Sequence, residues 1–166
     1  MNLKASASAK TILFGEHAVV YDEPAIAIPL PSVRTYASFS PTGKEFKISS
    51  PKIHLYKSYE ELIPGSGLQV LLSIIKEKLN LSDFPKETLM IRSDIPIASG
   101  LGSGAALSVA VTRAFTVYYH KSLSDSEINE IAYEVEKVYH GTPSGIDNTT
   151  IAYEQPIIFS RSKGFQ

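Results

Sequence analysis

A glycine-rich loop set between apolar segments, PIASGLGSGAALSVA over residues 96–110, offers the most specific chemistry in this sequence. Ser99, Gly100, Leu101, Gly102, Ser103, Gly104 and Ala105 follow an apolar stretch that reads as a strand and run into one that reads as a helix. A helix N-terminus carries unpaired N–H groups and partial positive charge, and glycines let an anion approach the backbone. The loop is therefore a candidate phosphate cradle, against the alternative of a plain turn before a core helix. The Ser103 hydroxyl could reach a phosphate or a phosphate-bound Mg²⁺, or cap the helix; the two roles are compatible. The spacing is neither G-x-x-x-x-G-K-[ST] nor G-x-G-x-x-G in a βαβ unit, so neither standard nucleotide-loop motif applies.

Two further clusters carry ionisable groups. In EKVYHGTPSGIDN, residues 136–148, Glu136 follows Ala132 by four positions and so borders the apolar face of its helix. Asp147 falls in a stretch with Gly141, Pro143 and Gly145 that reads as a loop fixing its direction. One metal ligand and one base near a transferring phosphoryl group would suit this pair. A solvated helix acid and an Asx-turn residue are the plainer readings. In KTILFGEHAVVY, residues 10–21, Lys10, Glu16 and His17 sit in an apolar setting, where charges are costly unless paired or used. A solvated strand-edge lysine and a hydrogen-bonded Glu–His pair are the alternatives.

The elements that must position these groups follow from periodicity. Residues 3–30 read as two strands with a turn at Asp22-Glu23-Pro24. Residues 33–39 alternate weakly, and 45–49 form a short strand candidate joined to them by a hairpin through Pro41-Thr42-Gly43. Residues 50–65 show no clear period. Residues 67–79 carry Leu68, Leu71, Leu72, Ile75 and Leu79 at helical spacing, which predicts a buried helix. Residues 88–93 read as a strand entering the glycine loop, and 101–119 as a central helix, apolar on nearly all sides. Residues 124–139 open on the capping box Ser124-Asp125-Ser126-Glu127 and have one apolar face. Residues 157–159 read as a last strand.

Composition narrows the classes. At 166 residues the chain suits one domain with a core of its own. Sixteen basic residues against seventeen acidic ones give no field that would recruit nucleic acid or an anionic membrane. The absence of cysteine excludes disulfides and thiolate chemistry and fits a cytoplasmic protein. No apolar run approaches the roughly 20 residues of a membrane span, and residues 1–10 lack the apolar core of a signal peptide.

Together the three clusters resemble the GHMP kinase family, and within it the members that phosphorylate mevalonate. Lys10 with GEHAVVY is similar to the family's first motif, PIASGLGSGAA to its phosphate loop and HGTPSGIDN to its catalytic-aspartate motif, in the family's order. Galactokinases share GEH but continue differently from Ala18-Val19-Val20. The resemblance implies an α+β fold, a mixed sheet packed on helices with a left-handed βαβ unit like that of a ribosomal-protein domain. It implies ATP as co-substrate with its phosphates at residues 99–105, and Mg²⁺ held by Glu136 and Ser103. It also implies transfer to the primary hydroxyl of mevalonate, in isoprenoid biosynthesis. Asp147 would be the base, Lys10 would stabilise the transition state, and Glu16, His17 and Ile146 would line the acceptor site. A different acceptor alcohol, or a non-catalytic nucleotide-binding module on the same fold, stays open, as does a homodimer.

The sequence departs from the family twice. Gly104 stands where the loop commonly has a second serine, so that hydroxyl is missing from the metal site. The chain is also about half the family's length and lacks its third glycine-rich motif, which implies that residues 1–166 are the N-terminal, ATP-binding domain without its C-terminal partner.

Overall fold

The computed structural model describes residues 4–16, 21–41, 44–160 and 162–165. Its strands are β1 (Lys4–Phe14), β2 (Ala25–Pro41), β3 (Lys47–Ser50), β4 (Leu55–Lys57), β5 (Glu87–Ser93), β6 (Ile157–Ser160) and β7 (Gly164–Phe165). Its helices are α1 (Gly67–Lys78), α2 (Ser103–Tyr118), α3 (Asp125–His140) and α4 (Ile146–Tyr153), with a 3₁₀ turn at Pro51–Ile53. The expected α+β class and the mixed sheet packed on helices are both present.

β2 organises the sheet. One edge pairs antiparallel with β1 along much of its length. The other edge is shared, Thr35–Pro41 pairing with β5 and Ala25–Ala27 with β6. A 17-residue strand is what lets two partners use one edge. The sequence predicted two strands here, one ending by residue 30 and one over 33–39; Pro29 and Pro31, which cannot donate to a ladder, stand near the join. The structure corrects this to one strand carrying an irregularity. Ser8 faces Arg34 while Ala9 faces Leu30, so Pro31, Ser32 and Val33 are extruded where the two strands were expected to part.

The hairpin expected between β2 and β3 does not form. β5 lies between them, and β3 pairs with β5 in parallel and with β4 antiparallel. A parallel pair needs a crossover, and α1 provides it, making β3–α1–β5 the βαβ unit of the fold. Residues 50–65, without period in the sequence, hold the 3₁₀ turn and β4 and close on a small polar cluster in which Glu61 accepts from the Ser58 N–H. β7, two residues long, gave no signal in the sequence.

The core lies between the sheet and its helices. Ala5, Ala7, Ala9 and Ala37 present small buried side chains to α2, whose ten buried residues include Val109, Val111 and Phe115. Ser108 and Thr112, also buried in α2, donate back to the Gly104 and Ser108 carbonyls, so their hydroxyls are satisfied. Phe115 meets Phe39 edge to face at 5.0 Å. α3 begins with the predicted capping box, Ser124 and Glu127 satisfying each other's N–H groups. No helix among the described residues is long and apolar enough to cross a membrane.

Candidate active site

β5 ends at Ser93, and the glycine loop turns back along β1 before α2 begins. Left-handed backbone recurs at Ala98 (φ 55°), Gly100 (φ 74°) and Gly102 (φ 73°). Left-handed turns of this kind bring N–H groups to face one concavity, the arrangement that receives anions. Gly102 is the N-cap of α2 and offers no side-chain cap. Ser103 is the first helical residue, so the capping role considered for it is not taken, and it lines the adjoining cavity. A Cβ at Gly102 would also meet Ile151 at 2.8 Å and the Lys10 side chain at 3.2 Å. Glycine there is needed for packing as well as for backbone sign.

Lys10 is pinned against this loop. Its N–H donates to the Leu101 carbonyl at 3.1 Å, and its ammonium lies 2.7 Å from Asp147 Oδ1. The lysine is 4% exposed, so the carboxylate is what makes its charge tolerable. Asp147 is not in a loop as the glycines and proline suggested. It is the second residue of α4, whose N-cap is Gly145, so the Asx-turn reading falls away. An acid in a helix's first turn is held by the dipole as well as by its partner.

Glu136 completes the group. It is 6% exposed, as its place beside the apolar face of α3 predicted, and it lies against Gly104 in the first turn of α2. Burial first, then the charge of Asp147, pushes its carboxyl above the ordinary range; the attraction of His140, 3.5 Å away, and of Lys10 only partly offsets this.

Two cavities meet at these residues. One, of about 330 Å³, is bounded by Lys10, Ile12, Glu16, Gly100, Glu136 and the segment from Pro143 to Asn148. The other, of about 480 Å³, runs from the loop (Ser99, Gly100, Gly102, Ser103, Gly104) over an apolar floor of Ile53, Ile91, Ile95 and Leu107. Gly100, Glu136, Asp147 and His140 border both. The sequence-predicted Lys10, Glu16, Glu136, Ile146, Asp147 and most of the loop are thus brought together. Leu101 and Ala105 are not: Leu101 packs against the core and Ala105 is buried in it, leaving only their backbone to the site. His17 lies outside the described residues.

Sequence reasoning missed Tyr139, His140 and Ile12. The first two lie three and four residues after Glu136, the helical repeat that carries side chains to one face. Ile12 lies two after Lys10, the strand repeat. Tyr139 also closes the wall toward α1: a Cβ on Gly67 would collide with its hydroxyl. Its phenol is pushed up by burial and then by Glu136.

Among the described residues no three acidic, histidine or cysteine side chains cluster closely enough to hold a metal by themselves. That donor set still fits Mg²⁺, which typically takes one or two carboxylates and completes its shell with water and substrate phosphates. Glu136, buried and with its charge only partly offset by His140 and Lys10, is the carboxylate such an ion would neutralise.

Residues 68–155, from α1 through α4, match the family described as GHMP kinases N terminal domain. The chain belongs to the GHMP kinase family. Among the relatives of this GHMP kinase domain is the mevalonate kinase of Thermococcus sibiricus, 39% identical over 167 residues, with 92% of this chain and 50% of the relative covered. The crystal structure of the Methanococcus jannaschii mevalonate kinase superposes with a TM-score of 0.82 at 30% identity, covering all of this chain and 55% of that one. That of the L. major mevalonate kinase in complex with R-mevalonate gives 0.73 at 29%, covering 98% and 51%. The GHMP kinase domain described here spans about half the length of the curated relatives it matches.

Proposed function

We propose that this chain supplies the N-terminal half of an ATP-dependent kinase that phosphorylates the primary hydroxyl of mevalonate. The observation that carries the reading is the 2.7 Å contact of Lys10 with Asp147, set where the two cavities meet. An acceptor alcohol in the smaller cavity and a triphosphate along the loop would bring the hydroxyl and the γ-phosphorus to this contact. Asp147 takes the hydroxyl proton as the new O–P bond forms and the bond to the β-phosphate oxygen breaks, releasing ADP. Lys10 keeps its proton and offsets the charge that builds on the acceptor oxygen and the phosphoryl group. The loop N–H groups and the α2 N-terminus hold the phosphates. The apolar floor between Ile53 and Leu107 suits the nucleoside end of the same molecule.

Bound Mg²⁺, held by Glu136 with the ATP phosphates and assisted by the Ser103 hydroxyl, would neutralise phosphate charge. Glu16, His17 and Ile146 would line the acceptor side, and the other half of the protein would supply the facing wall. On this reading the reaction is a cytoplasmic one and its product, 5-phosphomevalonate, feeds isoprenoid synthesis.

The test is mevalonate-dependent ADP release with Mg-ATP, by this chain and by a chain extended to the relatives' length, each beside Asp147→Ala. The expected result is turnover lost in the variant, with phosphorus NMR locating the new phosphate on the primary hydroxyl. Phosphate on another alcohol, or turnover indifferent to Asp147, would overturn the reading.

A further inference from the structure

α4 is too short to direct its own side chains. It has eight residues and no side-chain N-cap, well under the roughly 12–15 residues at which an isolated helix becomes even marginal. Its orientation, and with it the direction of Asp147, must come from what grips it. At its N-terminal end the Asn148 Nδ2 donates to Asn129 Oδ1 of α3 at 2.6 Å, and Asp147 meets Lys10 of β1.

The C-terminal end is gripped far more heavily. Glu154, the C-cap residue, stands in left-handed backbone (φ 48°), and its Oε1 accepts from three elements. The donors are Arg34 Nη2 of β2 at 2.7 Å, Arg113 Nη1 of α2 at 2.9 Å and the Ser8 N–H of β1 at 3.3 Å. Arg113 also donates to the Ala152 carbonyl at 2.8 Å and the Ser6 carbonyl at 3.0 Å, stitching the last turn of α4 to β1. Glu154 touches neither cavity. Seven residues, about two helical turns, separate it from Asp147, which puts the two on the same side of α4. Both meet β1, at Ser8 and at Lys10, two residues apart. α4 is thus strapped along β1 at each end.

We propose that Glu154, clamped by Arg34 and Arg113, is a positioning residue that aims Asp147 at Lys10 by fixing the axis of α4. The proposal rests on the kinase reading for its catalytic consequence but not for its structural one. Burial opposes the Glu154 charge, yet the hydrogen bonds from Arg113 and Arg34 outweigh it and hold the carboxyl below its ordinary range, so the clamp is ionic at neutral pH. Three donors from three elements converge on the one oxygen, and Arg113 spends its second terminal nitrogen on the Ala152 carbonyl, so charge-assisted bonds hold the end of α4 from several directions.

Glu154→Gln keeps the side chain's length and its accepting oxygen while removing the charge, so the fold should survive. In the protein extended to the relatives' length, it should lower kcat about tenfold with both KM values within about twofold, the pattern of misplaced chemistry rather than lost binding. Arg34→Gln, which leaves Arg113 on Glu154, should lie between. In a Lys10→Met background the Glu154→Gln effect on kcat should shrink to under about twofold, since the pair it aims is already gone. Equal factors in both backgrounds would make Glu154 merely structural and overturn the proposal.

A second cycle uses this 166-residue chain without any turnover. Glu154→Gln should lower the melting temperature by about 2–4 °C with Asp147 present and by clearly less with Asp147→Asn. Additive shifts would refute the coupling between the two ends of α4. An absence of kinase activity in every chain would instead remove the functional reading and leave this cycle standing.

Discussion

The Glu136 carboxylate fills the space into which a side chain at position 104 would grow: a Cβ on Gly104 would lie 2.8 Å from its Oε1. The missing serine of the loop and the buried acid of α3 are therefore one feature. With glycine at 104 the carboxylate approaches the first turn of α2, the end of the helix that favours negative charge. Gly104→Ser should displace the carboxylate while leaving the fold intact, because the obstruction is the end of a flexible side chain. Calorimetric titration should show Mg-ATP binding weakened about 3–10-fold, a loss near 1 kcal/mol, with the melting temperature changed little. Binding equal to or tighter than that of the parent chain would mean that the serine and the carboxylate fit together.

The Lys10–Asp147 pair predicts an asymmetry. Asp147 is 30% exposed at its side chain and Lys10 only 5%, so the two single losses are unequal. Asp147→Asn strands a buried ammonium and should cost about 1–3 kcal/mol of stability, toward the low end for breaking a buried pair because Asp147 is partly wet. Lys10→Met leaves a carboxylate that water can reach and fills the lysine's channel with an apolar chain. Its cost should be under about 1 kcal/mol. Both should lower turnover, Asp147→Asn by about 10²–10⁴-fold. Denaturant melts on the two variants check the order, and a larger loss in Lys10→Met would reverse it.

Glu136 predicts a pH slope of the opposite kind to the usual acid. Its folded carboxyl titrates above the unfolded value because burial disfavours the charge. The unfolded chain loses this proton first, so the contribution of Glu136 to stability is full below the ordinary glutamate range and falls as pH rises through the folded value. Glu136→Gln lacks that loss and should melt above the parent at pH 7, with the gap closing toward pH 4. Mg-ATP should raise the parent's melting temperature more than the variant's. A variant that melts lower at pH 7 would show that the ionised carboxylate is stabilising where it lies.

How far the sequence carried can be seen at particular residues. Glu136 was legible because a four-residue step from Ala132 forecasts the buried edge of a helix, and the Ser124–Glu127 capping box fixed where that helix starts. α4 was not, because Gly141, Pro143 and Gly145 look like a loop and eight residues are too few to show a period. Its polar Asn148, Thr149 and Thr150 are buried, the Asn148 Nδ2 donating to Asn129 and the two threonine hydroxyls to carbonyls one turn back. Those partnerships exist only in three dimensions. β2 was divided for a similar reason: the run up to residue 30 and the alternation from 33 look separate locally, and only pairing with β1, β5 and β6 shows that the strand runs through. The parallel placement of β3 beside β5 depends on the long crossover over residues 51–86, which no local signal reports.

The chain alone should bind nucleotide far better than it turns it over. The phosphate loop, α2 and the apolar floor all belong to the described residues, so fluorescent ATP analogues should bind with Mg²⁺ at micromolar to millimolar strength, and Gly102→Val should abolish this by striking Ile151 and Lys10. Chemistry asks for more. Asp147 must meet the acceptor hydroxyl in line with the γ-phosphorus, and most of the advantage of such a site comes from holding both reactants together without water. With Asp147 open to solvent and about half the relatives' length outside this chain, ADP release should run at under about 1% of the rate of a chain extended to the relatives' length. That factor corresponds to roughly 3 kcal/mol of lost positioning. Equal kcat in the two chains would show that residues 1–166 hold the acceptor unaided, and that the wall needed to exclude water is already present between β1, α3 and α4.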